Sequence, residues 1–91
     1  MTHKKFEYID GEIVEVKAWS VESSPAKPEG IKYSFVYIGK DGTRILGYDN
    51  AEGKGHHKHL GGRELPSEFT TIERLIERFT LEVTHLRRRM T

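Results

Sequence analysis

Three of the chain's five histidines stand together in the run Gly55-His56-His57-Lys58-His59-Leu60. An imidazole changes charge near neutral pH and can pass a proton or bind a metal, so chemistry is sought here first. If the run is extended, successive side chains alternate, which puts His57 and His59 on one side and His56 and Lys58 on the other. Tyr48-Asp49-Asn50 and the glycines Gly53 and Gly55 come before it; Gly61-Gly62 and Arg63 come after. Three readings fit this cluster. In the first, His57 and His59 share a divalent ion, with Asp49, Glu64 or His85 completing the ligand set. In the second, they are a metal-free acid–base pair acting on a phosphodiester. One imidazole removes a 2′-hydroxyl proton, another protonates the leaving oxygen, and Lys58, Arg63 or Lys54 holds the phosphate. In the third, the imidazoles are a solvated loop or a dimer contact. The glycines, which let backbone approach a ligand closely, and the neighbouring cations favour an anion as the thing bound.

The elements that must hold these residues are legible from periodicity. Phe6 to Ile9 is extended, and Asp10-Gly11 signals a hairpin turn. Glu12 to Val21 alternates as a strand, with a bulge or twist expected near Ala18, where Trp19 and Val21 switch sides. Glu22 to Gly30, with Pro25 and Pro28, is a loop. Ile31 to Ile38 reads as a central strand in which Tyr33, Phe35 and Tyr37 are core residues before they are base-stacking ones. Gly39 to Gly42 turns the chain into Thr43–Tyr48, and Gly47 within that strand suggests a bulge or a close approach. His56 to Leu60 is then expected as a short edge strand ended by Gly61-Gly62. In the last third, Ile72, Leu75, Ile76, Phe79, Val83 and Leu86 repeat at helical spacing, with Leu75 at the margin of the stripe and Leu81 opposite it. Thr70 with Glu73 forms a capping box and Ser67 is an earlier alternative, so the helix is expected from about Ser67 or Thr71 to about Arg88. Arg87, Arg88 and Arg89 suit the negative end of the helix dipole and equally an RNA backbone. The fold class is therefore α+β: an antiparallel meander of four to five strands with one long C-terminal helix packed on one face. One helix leaves a sheet face and two edges uncovered, which calls for self-association, as a homodimer, or for a partner protein.

Composition narrows the rest. Ninety-one residues suit one domain, and 15 Lys and Arg against 14 Asp and Glu give a net charge of +1, too little for binding nucleic acid by bulk charge. With no cysteine, disulfides, thiolate catalysis and Cys-type metal sites are excluded. No apolar run is long enough to span a membrane and the N-terminus lacks a signal-peptide stretch, so the expectation is a soluble cytoplasmic protein. There is no Walker loop, dinucleotide fingerprint or Ser-centred nucleophile motif.

Arg44-Ile45-Leu46-Gly47-Tyr48-Asp49-Asn50 followed by Gly53-Lys54-Gly55-His56-His57-Lys58-His59-Leu60-Gly61-Gly62 resembles the TumE-like family of small prokaryotic toxins. The likeness of layout extends over nearly the whole chain, residues 1–91 being one such domain. It implies a toxin of a type II toxin–antitoxin module, with a cognate antitoxin carrying a DNA-binding domain as partner. It brings no residue roles; those come from the chemistry. The leading expectation is a toxin acting on RNA as a histidine-dependent, metal-independent ribonuclease that needs no cofactor. His57 and His59 are the acid–base pair, His56 and Lys58 contact phosphate or orient them, and Asp49 fixes an imidazole tautomer. Tyr48 and Arg63 line the same mouth, and Lys54, Arg87 and Arg88 add phosphate contacts. The rivals are a non-catalytic module that binds nucleic acid or antitoxin, and a metal-dependent hydrolase built on His57, His59 and an acid.

Overall fold

The computed structural model describes residues 1–25, 27–50 and 55–89. Strands β1 (Thr2–Glu7), β2 (Ile13–Ser20), β3 (Ile31–Ile38), β4 (Arg44–Asp49), β5 (His57–Leu60) and β6 (Arg63–Pro66) precede one helix, α1 (Ile72–Arg89). The strands form one sheet in chain order, each antiparallel to the next. The α+β meander with a C-terminal helix is as expected, but the sheet has six strands rather than four to five. The extra one is β6. Its Arg-Glu-Leu-Pro sequence holds a single large apolar side chain and a proline, so no alternation marks it, and its pairing with β5 rests on backbone hydrogen bonds. β5 is consequently interior, and Pro66 sits at the end of an edge strand, where a missing N–H does little harm. β1 likewise begins at Thr2 rather than Phe6, since a ladder to β2 does not require apolar side chains.

Two local expectations move. β2 pairs in continuous register through Ala18, with no bulge there. The irregularity lies instead between β3 and β4, where Tyr37 faces Leu46 and Ile38 faces Arg44, leaving Ile45 as the extra residue. The helix is capped by Thr71, one residue beyond the expected Thr70: its hydroxyl accepts from the Arg74 N–H at 3.2 Å. The Ser67 hydroxyl accepts from Arg78 instead.

Alternation splits the sheet into two faces. One carries Val16, Ala18, Tyr33, Phe35, Tyr37, Leu46 and Tyr48, and α1 covers it with Leu75, Phe79 and Val83. Phe79 is 0% exposed, with its ring centroid 5.5 Å from that of Phe35 and 5.7 Å from that of Tyr48. Leu75, expected at the margin, is inside the core, while Leu81 points to solvent at 71% exposure. The far end of α1 is tied to the first hairpin. Arg87 contacts Asp10 and Glu12 and lies 3.6 Å over the Tyr8 ring, and Glu12 also accepts from the Tyr37 hydroxyl at 2.9 Å. Burial, reinforced by the Glu12 carboxylate, pushes the Tyr37 phenol up to about 12. Among the described residues, no helix lies over the other face of the sheet.

Candidate functional site on the open sheet face

The histidine cluster is positioned by strand register. Asp49 on β4 pairs with His57 on β5, and Gly47 pairs with His59, so Asp49, His57 and His59 share the open face. His57 Nε2 lies 3.2 Å from Asp49 Oδ1, and His59 Nε2 lies 3.1 Å from Asp49 Oδ2. On its other side, His57 Nδ1 meets Glu64 Oε1 of β6 at 2.7 Å. Among the described residues, Asp49, His57 and His59 are a group whose ligand-type atoms all fall within 4.8 Å of one another, the arrangement a divalent ion accepts. His57 is 8% exposed, and its Nε2 is one of two buried side-chain atoms without a hydrogen-bond partner among the described residues, the Tyr48 hydroxyl being the other.

Two further features build this face. A side chain at Gly47 would meet Arg44 at 3.1 Å, so glycine leaves room for the Arg44 side chain over the position that pairs with His59. Along the row through Asp49, register places Ser34 and then Lys17 next to the centre, with Lys32 and Trp19 paired two residues further along β3 and β2. Lys32 Nζ lies 5.5 Å from the Trp19 ring centroid. The sequence pattern alone does not bring Arg44 or Ser34 to the histidines; the signal was Gly47 itself, whose missing side chain opens the space.

The remaining expected residues lie elsewhere. The His56 ring lies near-parallel to those of Phe69 and Tyr33, with centroids 4.6 and 5.6 Å away, its Nδ1 2.7 Å from the Tyr33 hydroxyl and its Nε2 3.5 Å from Glu29. It is thus held away from His57 and His59 by the alternation that joins those two. Lys58 faces the helix, where it pairs with Glu82 at 2.6 Å; burial moves the Lys58 ammonium down and the Glu82 carboxyl up from their ordinary values. Tyr48 is on that same covered face, buried against Phe79, and does not line the histidine mouth. Arg63 is exposed on β6 opposite Leu60, on the side of the sheet that Lys58 occupies. Arg87 and Arg88 sit at the far end of α1 beside Tyr8. Lys54 lies outside the described residues.

A family model described as Toxin TumE matches residues 2–87. The chain belongs to the TumE toxin family. The resemblance carried by the Tyr-Asp-Asn and His-rich segments is therefore borne out over nearly the full length. Comparison with curated proteins and with solved structures finds no match. Membership of the TumE family gives the chain a toxin role and implies an antitoxin partner. Among the described residues of this TumE-family chain, no helix is long and apolar enough to cross a membrane.

Proposed function

We propose that this toxin acts on RNA and cleaves it, with Asp49, His57 and His59 as the reacting groups. The observation that carries the reading is the convergence of two imidazole nitrogens on one carboxylate, at 3.2 and 3.1 Å, on the sheet face that no helix covers. His59 has the more open side chain of the two histidines and is the group to exchange a proton with a 2′-hydroxyl, while Asp49 holds its ring in place. Arg44, over Gly47 on the strand next to His59, is placed to hold the scissile phosphate, a role that the sequence pattern gave to Lys58, Arg63 or Lys54. Lys17 and Lys32 extend the positive row along the strands, and Trp19 offers a ring for a base to stack on. The antitoxin belongs to this reading as the partner that silences the site, and self-association as the means of covering open sheet edges.

Purified protein incubated with RNA, with and without EDTA, tests this. Cleavage is expected, and His59→Ala should slow it by about 10²–10⁴-fold while the fold survives. Activity that persists in EDTA assigns the reaction to proton transfer between imidazoles, as the sequence led us to expect; activity lost in EDTA and restored by a divalent metal assigns it to a bound ion. Full cleavage by a His57→Ala, His59→Ala double variant overturns the assignment of these residues. RNA that is bound and left intact by the wild-type protein overturns the enzymatic reading in favour of a binding module.

A further inference from the structure

We infer that Asp49, His57 and His59 form a binding site for a first-row divalent metal ion, with Glu64 as the group that orients His57. The inference deepens the reading of the site given above, resting on it for the RNA substrate but not for the binding; with an ion bound, His59 would be a ligand, and the proton-transfer role given to it above would fall to a water on the open coordination position.

The argument starts at His57. Its two ring nitrogens each face a carboxylate: Nδ1 is 2.7 Å from Glu64 and Nε2 is 3.2 Å from Asp49. A neutral imidazole has one N–H, and the shorter contact, which has hydrogen-bond geometry, places it on Nδ1. Nε2 then presents a lone pair toward a carboxylate oxygen, in a buried position, with no hydrogen-bond partner. Two acceptors facing each other in a poorly solvated site repel unless positive charge lies between them. A metal ion answers it well. It takes the Nε2 lone pair, a carboxylate oxygen and the Nε2 of His59 together, and these atoms already lie within 4.8 Å of one another. Ligands held about 2.0–2.2 Å from a tetrahedral zinc are separated from each other by about 3.3 Å, close to the contacts that Asp49 makes with both rings. A ligating histidine that donates its other N–H to a carboxylate is the usual supporting arrangement for such a site, and Glu64 supplies it. Three protein ligands leave a coordination position open to water on the uncovered face, which suits a site that acts on a substrate. The two imidazoles of the set favour zinc or nickel over magnesium, calcium or manganese.

The test needs no RNA. The full chain, freed of metal by dialysis against EDTA and then chelator-free buffer, is titrated with zinc chloride in a calorimeter, with circular dichroism to check each variant's fold. One zinc per chain is expected. Binding should vanish in Asp49→Asn and in His59→Ala and weaken by about 10–100-fold in Glu64→Gln, whose side chain is half exposed and does not support the core. His85→Ala should bind as the wild type does. His57 is buried, so the conclusion rests on the other variants where His57→Ala fails to fold. No zinc or nickel bound by the wild-type chain overturns the inference, as does unchanged binding in a folded Asp49→Asn, His59→Ala double variant. Metal bound by a protein that leaves RNA intact sustains the site and sinks the ribonuclease reading; cleavage by a protein that binds no metal does the reverse.

Discussion

Asn50 follows Asp49 directly, and its replacement gives a sharp test of how the end of β4 is held. The side chain is 1% exposed and does the work of a missing piece of ladder between β3 and β4. Its Oδ1 accepts from the Tyr33 N–H at 3.1 Å, and its Nδ2 donates to the Ile31 carbonyl at 2.7 Å and to Glu29 at 2.9 Å. Asn50→Ala removes all three bonds. The Tyr33 amide is left buried without a partner, at about 1–3 kcal/mol, and each of the other two bonds contributes about 0.5–1.5 kcal/mol. The expected loss is therefore about 2–6 kcal/mol, from a total stability of roughly 5–14 kcal/mol for a chain of this length. In urea, with a slope of about 1–3 kcal/mol per molar, the unfolding midpoint should fall by at least about 0.7 M. Asn50→Asp separates the two halves of the amide. It keeps the acceptor for Tyr33 but turns a carboxylate oxygen toward Glu29 and the Ile31 carbonyl, so it should destabilise at neutral pH and recover as the pH falls and a shared proton is gained. A loss below about 1 kcal/mol for Asn50→Ala, or an Asn50→Asp variant as stable as wild type at neutral pH, refutes this account.

Phe79→Ala removes the centre of the helix–sheet contact and should lower stability by about 3–5 kcal/mol in thermal or urea unfolding, whereas Leu81→Ala, on the exposed side, should change it by less than about 0.5 kcal/mol. Tyr37 ties stability to alkaline pH. Its folded value, raised to about 12 from the ordinary 10.0, means that its contribution is whole below pH 10 and is lost as pH rises toward 12. The unfolding free energy should then fall by up to about 1.4 kcal/mol per pH unit in that window, and Tyr37→Phe should flatten the fall. Light scattering should show association that grows with concentration, because β1 is an exposed edge along its whole length. A monomer at every concentration, with no partner bound, counts against this.

The parts of the fold that were legible in the sequence are those where side chains alternate or repeat. The Phe79 stripe gave the helix its buried face, and Tyr33, Phe35 and Tyr37 gave the central strand. β6 was hidden because Arg63 to Pro66 contributes backbone and little apolar surface. Within the site, alternation correctly separated His57 and His59 from His56 and Lys58. It said nothing about which of the two faces the helix would cover, and that choice decides the roles of the rest. Tyr48 and Lys58 fall on the covered face, so they pack and pair with α1, and Arg87 is drawn to Asp10 and Glu12 by a contact across most of the chain. Arg44 joins the site only through the register of β3, β4 and β5, which no single segment encodes.

A sheet laid down in chain order also has consequences for how the molecule comes into being. Each hairpin joins neighbours in sequence, so the loops closed are short and the ladder can grow strand by strand behind synthesis. The exception is α1, which returns across the sheet to the first hairpin through Arg87 and Glu12. Until that helix has been made, the aromatic face of the meander has nothing to lie against, and a chain cut short before Ile72 exposes Phe35, Leu46 and Tyr48 to water. The histidine strand β5 is paired through the same sheet, so its geometry depends on a support that arrives last. A growing chain thus carries Asp49, His57 and His59 before the helix that packs behind their sheet has been made.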